Sequence, residues 1–308
     1  MAETTFHRPF RFGVVAAQAR SGTEWLATAR RAEKLGYATL LVPDRVGPLL
    51  SPIPALSAVA AATTSLRLGT FVLVSGWRNP VLMAQEAATL DFLSGGRFEL
   101  GLGAGTSEND FRQIGIPVDR PGVRIDQLAE ALGIVKALLS GQEVTHQGAH
   151  YTVSGAQGYR QVVQKPRPPI LVGGSGNRLL ALAAREADII SMGTSRDDLS
   201  ERALAERIDH VRQSAGERFP QIELSINLMA VLGDEPPSDM LRQRLRGLFK
   251  VEVEQLVQSE SPFVVSGSVD EMCRQLLQRR ERLGLSYVTL PADLMDTFAP
   301  VVECLAGR

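Results

Sequence analysis

The sequence predicts an α/β protein folded as a (β/α)8 TIM barrel, with insertions at the mouth formed by the carboxyl ends of its strands. Three observations point there. Short apolar runs alternate with longer segments of helical period, as parallel strands covered by helices require. Several runs are almost continuously apolar, so both of their faces are buried, one inside a barrel and one against helices. The 308 residues suffice for eight such units, and residues 1–308 are read as a single domain.

In chain order, the first strand is "FRFGVVA" (10–16). Ser21 and Glu24 then make a capping box for a helix over 22–35 that Gly36 ends. The second strand is "ATLLVPD" (38–44), followed by the alanine-rich helix "IPALSAVAAATTS" (53–65). The third is "LRLGTFVLV" (66–74), followed by "VLMAQEAATLDFL" (81–93), a helix apolar around much of its circumference. One barrel-facing stripe does not need so much apolar surface. Either these two helices pack unusually closely within one chain, or they bury a second face in a homodimer, which is the expectation carried forward.

The fourth strand, "FELGLGAG" (98–105), leads to a helix over 121–140, where Ile125, Leu128, Leu132, Val135 and Leu139 form one stripe. Glycines, alternation and a proline cluster in 141–169 mark an inserted hairpin and loop. Strands five to seven are "PILVGG" (169–174), "DIISMG" (188–193) and "IELSINLMAVL" (222–232). A second insert covers about 234–267, and both inserts either cover the mouth or are plain surface excursions. Ser268 and Glu271 box the helix 269–283, Gly284 stops it, and "LSYVTLP" (285–291) is the eighth strand.

With 44% hydrophobic residues and 33 basic against 34 acidic side chains, the chain is an ordinary globular one with no field of one sign. That argues against nucleic acid and anionic membranes and for a small-molecule partner. The segment "MAETTFHRPFRFGVV" lacks a signal-peptide core, and no run approaches the ~18 apolar residues of a membrane span, so a cytoplasmic location is expected. Cys273 and Cys304 have no CxxC or histidine spacing, which argues against structural zinc.

In such a barrel, chemistry sits at the strands' carboxyl ends. These place Asp44 and Arg45, then Ser75, Trp77, Arg78 and Asn79, at the mouth. Gly101, Gly103 and Gly105 strip one face of strand four, either to seat a flat ligand or to relieve crowding. Gly173, Gly174, Ser175 and Gly176 precede a helix whose first amides lack internal partners, a place suited to phosphate. A turn needing positive φ explains one glycine there and three less easily.

"GGSGN" falls short of the serine-hydrolase elbow G-x-S-x-G at Asn177, and the only histidine after it is His210, on a polar helix surface. His7 lies near the terminus, and the His146/His150 pair sits in a strand-like segment, so no metal site is expected. A bound cofactor is left to carry the chemistry.

"GYATLLVPDR", "LRLGTFVLVSGWRNPVLMAQEAATLDFLSGGRFELGLGAG", "PPILVGGSGNRLLALAAREADIISM" and "RRERLGLSYVTLP" together resemble the luciferase-like flavin and deazaflavin oxidoreductases, within which the chain is most similar to members using coenzyme F420. The resemblance implies that Asp44 lies near the deazaflavin ring and that Phe71–Val72 is a non-prolyl cis peptide backing it. It also implies that Gly103, Ala104 and Asn109 contact the ring or its side chain, and that Gly173, Gly174 and Ser175, with Gly176 from the glycine run, hold the cofactor phosphate. Asp44, Arg45 and Trp77 are the candidate catalytic residues.

Family members that oxidise alcohols or sugar phosphates carry His directly after the Asp, where this chain has Arg45, and Thr106 replaces the acidic residue after the strand-four glycines. Arginine cannot act as a base near neutral pH. Arg45 therefore anchors an anion or pairs with a surface carboxylate. The expected activity is hydride transfer from reduced F420 to an unsaturated small molecule. The alternatives are an FMN- and oxygen-dependent monooxygenase and a cofactor-binding barrel without turnover.

Overall fold

The computed structural model describes residues 8–193, 198–233, 237 and 239–308, so His7 and part of the second insert lie outside the described residues. Eight parallel staves close a barrel: β1 (Arg11–Val15), β2 (Thr39–Val42), β3 (Arg67–Thr70, continued by Leu73–Val74), β4 (Phe98–Gly103), β5 (Ile170–Gly174), β6 (Ile189–Met192), β7 (Glu223–Asn227) and β8 (Leu285–Pro291). Their order is β3-β2-β1-β8-β7-β6-β5-β4, and pairing of β3 with β4 closes the ring. No helix among the described residues is long and apolar enough to cross a membrane.

Alternation along each stave sorts its residues into two cores. Phe12, Val14, Leu40, Val42, Leu68, Phe98 and Leu102 join the surrounding helices in the large outer cluster. Leu41, Leu171, Ile189 and Tyr287 form a separate cluster inside the barrel, topped by Phe71 and Val72. The β2–β3 register that sets Leu41 opposite Gly69 shows why glycine stands there, since a Cβ on Gly69 would lie 2.5 Å from Leu41 Cδ2.

Two runs that read as single strands are divided. The 66–74 run breaks at Phe71–Val72, whose peptide bond is cis. The 222–232 run ends its barrel part at Asn227; Ala230–Leu232 leaves the sheet and pairs in parallel with Val264–Ser266 of the second insert. An apolar composition common to both parts conceals this switch of partner. The second insert therefore begins at the carboxyl end of β7, at the mouth.

The first insert differs from the mouth covering considered for it. Its hairpin, Val144–Gln147 with Thr152–Ala156, lies along the helix Pro121–Leu139, where the Glu130 carboxylate accepts the amides of Ala149, His150 and Tyr151. The segment then reaches the base, where Gln164 bonds Asp91 and the Phe98 carbonyl. Tyr151 reaches the rim through its hydroxyl bond to the Ser75 carbonyl at 3.3 Å, and Tyr159 reaches the helix just beyond it through the Val81 carbonyl at 3.2 Å.

The helix ends follow their caps. Ser268 and Glu271 form the full reciprocal box, and Gly284 closes that helix at φ 72. Ser21 caps the amide of Glu24, but the Glu24 carboxylate accepts from Arg20 rather than from Ser21, so that box is half made.

Glu33, near the end of the helix Gly22–Lys34, accepts the amides of Thr64, Ser65 and Leu66 just before β3. Burial raises this carboxyl, but the three amides outweigh burial and take it down to about 2. A depressed carboxyl stabilises the fold above its unfolded value of 4.5, and that contribution is lost as the pH falls through about 2. Glu33→Gln is expected to cost about 1–2 kcal/mol near neutral pH, discounted for partial exposure. Urea unfolding should show this gap at neutral pH and its disappearance in acid; equal stabilities at neutral pH would refute it.

Candidate active site

The carboxyl ends of β3, β5, β6 and β7 surround a cavity of about 230 Å3. Phe71 and Val72 form one wall, and Gly173 and Gly174 form the next. Ser191, Met192 and Gly193 continue it, and Asn227 and Met229 complete it. The structure thus brings together Phe71, Val72, Gly173 and Gly174 from the residues singled out in the sequence. Asp44, Arg45, Trp77, Gly103, Ala104, Asn109, Ser175 and Gly176 are not part of this lining.

The glycines of β5 are not there for the turn. None of Gly173, Gly174 and Gly176 has positive φ, and Gly176, the N-cap of the helix Asn177–Glu186, sits at φ −78. Gly173 and Gly176 supply space, since a Cβ on Gly173 would meet only ordinary contacts, Ser191 Cβ at 3.6 Å and Val72 Cγ1 at 3.7 Å, and one on Gly176 would meet nothing; Gly174 instead makes room for Leu179, whose Cδ2 would lie 2.3 Å from an added Cβ. Gly176 also has no side chain with which to cap the helix, whereas Ser200 and Ser268 cap theirs. The first amides of Asn177–Glu186 are thus left to a ligand or to water.

The glycines of β4 do something else. A Cβ on Gly101 would lie 1.9 Å from the Thr70 carbonyl oxygen, and one on Gly103 2.5 Å from Val72 Cγ2. The stripped face is filled by the Thr70–Val72 stretch, locked by the Thr70 hydroxyl to both polar groups of the Gly101 backbone at 2.8 Å. The flat seat considered on this strand is therefore closed. What faces the cavity is Val72, seated in the notch the glycines leave.

Asp44, at the end of β2, is buried, and both its oxygens are engaged. Arg78 donates to them at 2.5 and 3.0 Å, and the Val74 amide donates at 3.0 Å. The carboxylate ties the exit of β2 to the chain just beyond the cis bond. Arg45 pairs with Asp110 at 2.6 Å, so of its two candidate roles the structure shows the carboxylate partner, although a buried one. Burial raises the Asp110 carboxyl, but Arg45 and Ser107 outweigh it and hold it below the usual range. Asn109, on the same short helix Glu108–Gln113, is exposed.

Trp77 packs edge-on against Phe111, its centroid 5.6 Å away, and its buried indole N–H has no acceptor. Arg124, unremarked in the sequence, lies over the Phe111 ring, 5.6 Å from its centroid, with Nε and Nη1 buried and unpaired. His210 is half-buried and donates to the Asn177 carbonyl at 2.9 Å, so it braces the glycine-capped helix where a solvated surface role was expected. Among the described residues no three His, Cys, Asp or Glu side chains gather as metal ligands.

Sequence reasoning also missed Ser191, Asn227 and Met229. Asn227 was findable: it is the polar residue that ends the barrel part of the seventh run, and it was overlooked because that run was read through to 232.

A parallel eight-stave barrel with a cavity at its carboxyl face, a glycine-lined wall and a helix N-terminus beside it has the architecture of a cofactor-binding barrel. The chain belongs to the luciferase-like monooxygenase family, whose sequence pattern matches residues 5–261. It is 28% identical over 275 residues to an F420-dependent glucose-6-phosphate dehydrogenase of Nakamurella multipartita, covering 86% of this chain and 80% of that one. An enzyme of the same name from Microbacterium testaceum is 33% identical over 189 residues, 58% of this chain and 55% of its own length. In fold it is similar to an F420-dependent secondary alcohol dehydrogenase solved with an F420-acetone adduct, with a TM-score of 0.77, 21% identity and coverage of 97% and 99%.

Proposed function

We propose that this chain is a coenzyme F420-dependent oxidoreductase that reduces an unsaturated small molecule. One observation carries the reading: Val72, Gly173 and Gly174 line a single cavity, beside a helix N-terminus that no side chain caps. The names of its relatives support F420 as the cofactor.

The residues present fit that group. Gly173, Gly174, Ser175 and Gly176 and the first amides of Asn177–Glu186 would hold its phosphate, while Val72 and Phe71 would back its ring, with Gly103, Ala104 and Asn109 at the margin. When bound, F420 supplies hydride in two-electron steps. Asp44 acts from behind, holding the Val74 amide directly and Arg78 beside it, and Trp77 shapes the rim. Arg45 stands where the base of alcohol-oxidising relatives is expected, and its pairing with Asp110 leaves no base at that position. We further propose a cytoplasmic homodimer, built on the face of the helix Pro80–Leu93 where Leu82, Phe92 and Leu93 are 58–60% exposed.

Titration of the purified protein with F420 and with FMN, followed by fluorescence polarisation, tests the cofactor. Saturable F420 binding at micromolar concentration or tighter is the expected result. Tight binding of FMN alone would favour the monooxygenase reading, and binding of neither would favour a barrel without turnover.

A further inference from the structure

Order around the barrel places β7 four staves from β3 in either direction, so Asn227 stands across the cavity from Phe71 and Val72. A flat group backed by Val72 turns its free face toward Asn227. The Asn227 side chain is oriented from behind, since Thr289 of β8 donates its hydroxyl to Oδ1 at 2.9 Å. Its Nδ2 has no acceptor among the described residues and is not sealed in the protein, which leaves an N–H donor directed at the open space.

The rest of the described lining is apolar or neutral. Phe71, Val72, Met192 and Met229 supply hydrocarbon and thioether surface, and Ser191 supplies the one hydroxyl. No Asp, Glu, His, Lys or Arg among the described residues reaches it. Against the described lining a charged substrate would lose its water with no opposite charge to pair with, whereas an uncharged molecule would forfeit little. A single fixed donor in an apolar wall orients an acceptor atom.

Resting on the proposed function above, we infer that the substrate is an uncharged, largely apolar molecule carrying a carbonyl-type acceptor, and that Asn227 Nδ2 binds this acceptor and sets specificity. Asn227 would bind the acceptor and hold it in one orientation. Thr289 is then a positioning residue.

The test uses three six-membered-ring probes on the F420-loaded enzyme: cyclohexanone, cyclohexanecarboxylate and cyclohexylammonium. Their dissociation constants are measured by ligand-observed NMR, and F420 affinity is measured separately by polarisation. The ketone should bind about tenfold or more tighter than either ion, and Asn227→Ala should weaken the ketone about tenfold, as expected for the loss of one neutral hydrogen bond in a dry site. F420 affinity should stay within about twofold, and Thr289→Val should give a smaller loss in the same direction. Should Asn227→Ala fail to fold, Thr289→Val and the probe ranking still decide.

Equal or tighter binding of either ion, an unchanged ketone affinity in Asn227→Ala, or binding of none of the three probes would overturn the inference. A protein that binds F420 yet fails these tests leaves the cofactor assignment standing. One that does not bind F420 loses that assignment first.

Discussion

Glu99→Ala is expected to lower the unfolding free energy by about 3–5 kcal/mol, the range for removing one partner of a buried charge network. Glu99 lies at the base of β4, 2% exposed, with one oxygen taking Arg11 at 2.5 Å and Arg67 at 2.6 Å. Arg11 also grips Glu223 of β7 at 2.6 Å and stacks 3.7 Å over Tyr287 of β8. Burial alone would raise the Glu99 carboxyl, but the two guanidinium groups outweigh it and hold it below the usual range. Alanine would leave Arg67 without its carboxylate inside a low-dielectric base. Denaturant unfolding measures the loss, and a change under about 1 kcal/mol would show that the network contributes little beyond Arg11–Glu223.

Gly173→Val is expected to have the opposite profile, leaving the fold nearly intact while weakening F420 binding by at least about 100-fold, or roughly 3 kcal/mol. The first added carbon meets Ser191 and Val72 only at ordinary distances, so the backbone need not move. The two further methyls enter the cavity of about 230 Å3 between Val72 and Gly174. Gly101→Ala is the contrasting control, because its Cβ would lie 1.9 Å from a backbone oxygen that cannot yield without displacing β3. Polarisation titration beside thermal unfolding separates the two. An unchanged F420 affinity in a folded Gly173→Val protein would place the cofactor elsewhere.

The barrel was legible because each stave announces itself locally: apolar runs, serine caps and stop glycines act within a few residues of one another. Gly36 and Gly284 take the positive φ that their helix ends call for. That Gly173, Gly174 and Gly176 exceed what one turn requires was legible too, and none of them takes the positive φ of a turn. What local patterns do not carry is the identity of a distant partner. The β4 glycines had two readings until Thr70 and Val72 were seen lying against them, about thirty residues earlier in the chain. Arg45 had two readings until Asp110 was found beside it. Asn227 escaped because hydrophobicity does not mark where a chain changes sheets.

The bond between Asp44 and Arg78 joins two loops that a protein engineer would ordinarily treat as separate modules. Grafting either loop alone from a relative would strand one charge beneath the rim and release the Val74 amide. The two exits therefore form one exchangeable cassette, and recombination libraries that keep positions 44 and 78 from the same parent should yield more folded members than those that mix them.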